Sequence, residues 1–397
     1  MQSRRVLAVL TAAGFLVFAQ AFMVAPLLPR LAQQLGTSVG MIGLSVPAYL
    51  VPYGVMTLFW GPLADRFGRR PVILVALALF SVLSAATMAL PTVGWFIGAR
   101  VATGLGASGI VPVSLMLIGD VIPYEQRGHA IGWLFGGMAG GMAVGSTAGA
   151  LVEPSIGWQG LFLVVAGVGA VVLAAAVRSI PRRPRPMSPP SARAAVRGYV
   201  QLLQDPRGRR TYEYVGFNAV LQSGIYTWLG LYLHQRFGLG PVGIGLGLLG
   251  YGIPGFALGP LIGRLADRHG RARLIPAGLA LATLASAGLA APAPLILVAI
   301  LVALLSMGYD LTQPLLAGIV TDLPGHRGQS VALMAVVLFC GFGAGSLVFQ
   351  AVLSFGFVVA LAVFGAAAGV AALVAVPVFS AERSGRLDAD GPQVDVT

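Results

Sequence analysis

The segment Gly61-Pro62-Leu63-Ala64-Asp65-Arg66-Phe67-Gly68-Arg69-Arg70 returns downstream as Gly263-Arg264-Leu265-Ala266-Asp267-Arg268-His269-Gly270-Arg271. Asp65 and Asp267 stand 202 positions apart, and that register also aligns Ile42-Gly43-Leu44 with Ile244-Gly245-Leu246, Tyr49 with Tyr251 and Pro52 with Pro254. Because the match runs on through apolar flanks, whole helices are duplicated rather than one charged turn. A chain written this way folds as two related halves, with each copy of the turn at the same place in its half.

The repeated unit belongs in a membrane. Of 397 residues, 57% are hydrophobic and 10% charged, against about 25% charged in a soluble domain, and the mean hydropathy is +0.86. A helix needs about 20 apolar residues to cross hydrocarbon. Twelve such stretches are predicted, at 6–28, 41–61, 71–90, 95–119, 130–152, 157–177, 212–235, 242–263, 274–293, 295–320, 329–352 and 355–379. Six precede a polar linker and six follow it, so the expected organisation is a first bundle over 1–177, a linker over 178–211, a second bundle over 212–379 and a tail over 380–397. Arg4-Arg5, the apolar run and Ala19-Gln20-Ala21 also have the form of a signal peptide. Cleavage there would leave the seventh span without its counterpart, so the segment is expected to stay as the first span.

All 25 basic residues are arginine. With both termini on the cytoplasmic side, every arginine except Arg30, Arg100 and Arg236 falls in or beside a cytoplasmic segment, as basic residues near helix ends do. The predicted location is thus a cell (inner) membrane. The linker from Arg178 to Arg210 carries nine arginines, one aspartate and the run Pro181-Arg182-Arg183-Pro184-Arg185-Pro186. It reads as a disordered connector lying against anionic headgroups, and so does not call for a nucleic-acid partner.

Two six-span halves, each with G-x-L-A-D-R after its second span, resemble the major facilitator superfamily of secondary transporters, nearest in pattern to its 12-helix drug-proton antiporter branch. The resemblance implies an all-α integral membrane fold of 12 transmembrane helices in two pseudo-symmetric six-helix bundles. Locally, Gly61 and Gly68 permit a tight turn, and Asp65 can accept from amides at a helix N-terminus. Carried over from the family, Asp65 would face the eleventh span near Gly328, and Arg69 or Arg70, beside Arg66, would pair with Asp120. The second copy offers Asp267 and Arg268, with Arg271 or Arg273 for Asp322. These charges form either a breakable latch between states or only a topology signal. Arg70 is answered by Ala272, so the first latch is expected to be the stronger.

Polar residues inside spans mark the candidate cargo site. Arg100 in the fourth span, followed by Thr103-Gly104-Leu105-Gly106-Ala107, resembles the family's intramembrane-arginine motif, with Thr103 in place of the usual glutamine. It acts on cargo or proton, or else snorkels to the nearby outer end of the span or bonds a carbonyl. Asp310 is the one acid deep in a predicted span, and Ser306, Asp310 and Gln313 share a helix face at i, i+4 and i+7. A carboxyl in that setting suits proton coupling or a ligand contact, and alternatively packs against a hydroxyl. Tyr214, Asn218, Gln222 and Tyr226 form a stripe in the seventh span, which Gln20 in the first is expected to join. Gly137, Gly141, Gly145 and Gly149 allow close packing of the fifth span, with Gly141 and Gly145 matched by Gly341 and Gly345. Gly145-Ser146 stands where drug antiporters of the family usually carry Gly-Pro.

No phosphate-binding loop is present, and the four histidines lack ligand spacing. The chain is therefore not expected to be an enzyme or to carry a cofactor or metal. Its expected partners are a small-molecule substrate, protons and the lipid bilayer, with the chain acting as a monomer. The expected activity is proton-coupled efflux by alternating access, with uptake of a sugar, amino acid or carboxylate as the alternative.

Overall fold

The computed structural model describes residues 2–89, 92–182, 192–251, 265, 269–323 and 327–382; at 2–3, 124–128, 192–195 and 327 only the backbone is described. Among the described residues the regular structure is entirely helical. The first half comprises α1 (Gln2–Phe22), a 3-10 turn (Ala25–Leu27), α2 (Leu28–Gln34), α3 (Val39–Gly43), α4 (Ser45–Phe67), α5 (Arg69–Ala86), α6 (Val93–Ala107), α7 (Ile110–Val121) and α8 (Tyr124–Ser179). After α9 (Ala192–Gln204), the second half comprises α10 (Pro206–Phe237), α11 (Pro241–Gly247), α12 (Arg271–Ala290), α13 (Leu295–Thr321), α14 (Arg327–Leu353) and α15 (Phe357–Val378).

Among the described residues nine helical stretches are long and apolar enough to cross a membrane. One of them, His129–Ser179, holds the fifth and sixth spans together, divided at Gly157, whose φ of 71° only glycine adopts without strain. The 32-residue α10 is the seventh span, its hydropathy lowered by its polar stripe. The eighth begins at α11, and its remainder lies outside the described residues. Eleven of the twelve expected spans therefore stand, among the described residues, where the sequence places them. Gly68 at φ 94° and Gly270 at φ 77° both precede a third-span-type helix, α5 and α12, so the duplicated turn has one backbone form in both halves.

Glycine seams hold each half together. A Cβ at Gly141 or Gly145 of α8 would run into the backbone of Phe15 or Ala19 in α1, and one at Gly345 of α14 into the backbone of Val220 in α10. Without side chains there, the helices meet backbone to backbone, the packing that replaces hydrophobic driving force in lipid. The fifth span is thus bound to the first as the eleventh is to the seventh.

The linker is more ordered than its composition suggests. Over 192–204 it forms α9, whose Leu202 is buried and whose Gly198 abuts Gln329 of α14. Arginine and proline dominate the stretch before it, whereas Val196, Tyr199, Val200, Leu202 and Leu203 recur at helical intervals. A net charge count averages over that change and hides the helix. The rest of the linker, 183–191, and the tail from 383 lie outside the described residues.

Side-chain contacts between the halves run from mid-span to the arginine-poor end. Gln350 donates to Gly40 O at 3.0 Å, Gly43 packs on Trp228, Gly230 on Pro26, and the Tyr53 and Phe339 rings lie 4.4 Å apart. The halves are closed at that end.

Candidate functional site

The site is built where α10 and α13 meet. Ser306 donates to Asp310 Oδ2 at 3.2 Å, one helical turn away, which puts Ser306 and Asp310 on one face. Gln313, also on that face, accepts a hydrogen bond from Asn218 Nδ2 on α10 at 3.0 Å. The two polar stripes read from the sequence therefore meet. Asn218 Oδ1 and Gln313 Nε2 are buried and find no partner among the described residues. Reversing both amides keeps the mutual bond and again leaves one oxygen and one nitrogen open. Each buried polar group left so costs about 1–3 kcal/mol, which marks the pair as built for a further partner.

Aromatic contacts gather about two turns farther along α10, at Tyr226. The Tyr226 ring packs at a tilt against Tyr251 at 4.1 Å and Phe22 at 5.5 Å, and its hydroxyl donates to Phe22 O at 3.4 Å. Phe339 of α14 packs against both Tyr53 and Phe18, the latter at 6.0 Å. Tyr251 reaches toward Gln222 without closing a hydrogen bond of good geometry and lies in the electrostatic field of Asp310. The second half thus carries a carboxyl, two amides and tyrosines mid-span, and Tyr226 touches Phe22 of the first half. Tyr53, Tyr251, Phe18, Phe22 and Phe339 are additions to the residues expected from sequence. The Tyr49 and Tyr251 correspondence was the available signal, but alone it speaks only of duplication.

Not every predicted member faces this region. Tyr214 turns to α15, donating to Ala371 O at 3.0 Å and packing on Phe379. Residues four apart drift about 40° around a helix, so a stripe from 214 to 226 cannot keep one face. Gln20, expected beside the α10 stripe, instead donates to Ser84 Oγ of α5 at 2.7 Å and is fully buried in the first half.

Arg100 is also fully buried. Nε, Nη1 and Nη2 donate to Ser45 O, Gln20 O and Ala21 O, each at 3.3 Å, and the guanidinium stacks 4.2 Å from the Tyr49 ring. Gly104 makes room for this arrangement, because a Cβ there would meet the Tyr49 backbone. All these partners belong to the first half. Of the readings open for Arg100, the geometry matches the carbonyl-bonded one.

At the arginine-rich end, Arg69 bridges Asp65 and Asp120, donating to Asp120 Oδ2 at 3.2 Å. The second half repeats the pair, with Arg271 donating to Asp322 Oδ2 at 2.5 Å. Arg70, the alternative partner for Asp120, donates instead to Val177 O at 2.8 Å, and exposed Arg66 lies over the Phe67 ring. The described partner of Asp65 is Arg69, one turn away, rather than the α14 segment near Gly328. Asp267 and Arg268 lie outside the described residues. Nearby, Glu382 accepts two bonds from Arg207, at 2.7 and 2.8 Å, and one from Arg210 at 2.9 Å, tying the start of α10 to the end of α15. The hydrogen bonds from Arg207 hold the Glu382 carboxyl below its ordinary range.

Glu153 was not singled out in the sequence. It is 1% exposed on α8, and its Oε1 receives Gln34 Nε2 at 3.3 Å and stands 3.5 Å from Arg30 Nε. This pair holds α2 on α8 and accounts for one arginine at the arginine-poor end.

A family model described as Major Facilitator Superfamily matches residues 10–346 and 216–392. The chain belongs to the Major Facilitator Superfamily. It is a multi-pass membrane transporter and not an enzyme. It is 25% identical to the uncharacterized MFS-type transporter YwfA of Bacillus subtilis over 349 residues, 86% of this chain and 84% of that protein. It is also 31% identical to the multidrug resistance protein MdtL of Klebsiella pneumoniae over 165 residues, 42% of each chain, so the chain spans less than half of that relative. Superfamily structures share the fold: a bacterial Spinster homologue in an inward-facing, unoccupied conformation superposes with a TM-score of 0.74 at 16% identity, covering 97% of this chain and 99% of that one.

Proposed function

We propose that the chain is a proton-coupled exporter of small organic molecules in the cell membrane, with its arginine-rich end cytoplasmic and its two bundles rocking about the mid-span site. The observation that carries this reading is the Asn218–Gln313 bond beside Asp310 on α13, reached from an α10 whose Tyr226 touches Phe22 of the first half. Cargo would lie against the rings, and the open amide nitrogen and oxygen would orient it. Asp310 would alternate between proton and cargo, since a carboxyl flanked by Ser306 can hold either a proton or a cationic or hydrogen-bonding group. The bridge among Asp65, Arg69 and Asp120, and the pair of Arg271 and Asp322, would be remade as the bundles move. Multidrug resistance proteins among the partial-length relatives support export.

Uptake remains the second reading for neutral solutes, favoured by the same amide pair. Carboxylate uptake anchored on Arg100 loses its basis, because that guanidinium is buried and already directed at three carbonyls. In proteoliposomes, Asp310→Asn is expected to abolish pH-gradient-driven transport while leaving cargo exchange. Full gradient-driven transport in that variant would refute the assignment.

A further inference from the structure

Three arginines stand apart from the arginine-rich end, and two are accounted for within the protein: Arg30 meets Glu153, and Arg100 is enclosed by carbonyls and Tyr49. Arg236, near the end of α10, is different. Nη1 donates to the Tyr232 hydroxyl and to Leu289 O at 3.2 Å, and Nη2 donates to Ala291 O at 2.9 Å and Ala293 O at 3.2 Å. Every one of these acceptors is neutral. They satisfy hydrogen bonds and fix the guanidinium, with some help from the carbonyl end of α12, but they do not remove its charge.

Beside this fixed cation lies a cavity of about 390 Å³, lined by Tyr232, Gln235, Arg236, Leu289, Phe357 and Val358. It sits where α10 and α12 end and α15 begins, at the level of the span termini. Its surroundings are apolar and uncovered: Val358 is 63% exposed, and Phe355, two residues before α15, is 75% exposed. A pocket with a positive base, an amide at Gln235 and a greasy rim has the chemistry of an amphiphilic anion.

We propose that this cavity binds the phosphodiester headgroup of an anionic phospholipid. One nonbridging oxygen would accept from Arg236 Nε–H, the donor not directed at those four acceptors, and another from the Gln235 amide, while the acyl chains would run along Phe355, Phe357 and Val358. The apolar rim argues for a lipid over free phosphate, and a base with no carboxylate among the described lining residues argues for an anionic headgroup over a zwitterionic one. The inference needs only that the chain spans a bilayer. It is independent of cargo, coupling and direction.

The test is native mass spectrometry and thermal shift on the full-length protein in neutral detergent, with phosphatidylglycerol, phosphatidylcholine, glycerol 1-phosphate and inorganic phosphate as separate arms. Phosphatidylglycerol should be retained and raise the melting temperature of the wild type, while the other three should not. Arg236→Gln should reduce phosphatidylglycerol retention about fivefold, the effect of one interfacial arginine. Should loss of the four bonds unfold that variant, Val358→Asp places a negative charge on the exposed rim without touching them, and should reduce retention by a similar factor. Equal retention of phosphatidylglycerol in the folded variants, or equal retention of phosphatidylcholine by the wild type, overturns the proposal. A shift produced equally by inorganic phosphate or glycerol 1-phosphate overturns the lipid assignment in favour of a soluble anion.

Discussion

Arg100 and Asp310 occupy opposite halves of a duplicated chain, and their surroundings differ in kind. Arg100 is enclosed by three carbonyls and a tyrosine ring drawn from its own half, and no part of it is exposed. Asp310 has a hydroxyl of its own helix beside it, and the amide pair next along that face keeps an unspent nitrogen and oxygen. In the duplicated register Arg100 corresponds to Val302, and Asp310 to Ser108. Neither charge belongs to the common scaffold. The first half has used its charge to hold α1, α4 and α6 together, and the second half has kept polar capacity open between α10 and α13.

The contrast is broken most forcefully by removing the first-half charge. Arg100→Ala takes a donor from three buried carbonyls and strands those of Gln20 and Ala21 at the end of α1, at about 1–3 kcal/mol for each group stranded, and should lower the melting temperature and yield sharply. Cargo affinity per folded molecule should be unchanged, as measured by ligand-induced thermal shift. A tenfold loss of affinity with normal stability would move Arg100 into the cargo site. Next in size, Asn218→Ala and Gln313→Ala should each weaken cargo binding by about fivefold to tenfold, one hydrogen bond's worth. The double variant should lose less than the product of the two factors, because the amides act as a unit.

The duplicated turns sharpen the same asymmetry. Asp65 belongs to a three-membered bridge through Arg69 to Asp120, whereas Ala272 replaces a basic residue beside Arg271. Asp65→Asn should therefore slow transport by severalfold and Asp267→Asn by less, in matched proteoliposome assays. The reverse ranking would contradict an unequal latch. The smallest effect is expected at Glu382. Its folded carboxyl is held below the ordinary range by Arg207, so its contribution is present above the unfolded value and is lost as pH falls through the folded one. Glu382→Gln should lower the melting temperature by about 2 °C at neutral pH, and the difference from wild type should shrink in acid.

Much of the scaffold was legible because it obeys local rules. Span length follows from hydrocarbon thickness, Gly68 and Gly270 mark the repeated turn, and the glycines of the fifth and eleventh spans mark the close seams. The pairing of turn arginines with Asp120 and Asp322 was also legible. Direction within a span was harder. A polar residue on a helix has more than one neighbour to choose, so Gln20 turned to Ser84 and Tyr214 to Ala371. Aromatic residues in an apolar run carry no directional signal, which is why Tyr53, Phe339 and the role of Tyr251 emerged only from packing. The latch expected between Asp65 and the α14 segment depends on how the halves sit, which no local pattern in the sequence encodes.

The most direct test sets Asp310→Asn beside Arg100→Leu in proteoliposomes under an imposed pH gradient, with the first compound found to stabilise the wild type as cargo. Asp310→Asn should lose gradient-driven transport yet still exchange cargo, while Arg100→Leu, corrected for its folded fraction, should remain coupled. Full coupling in Asp310→Asn, or its loss only in Arg100→Leu, would contradict the division of labour between the halves.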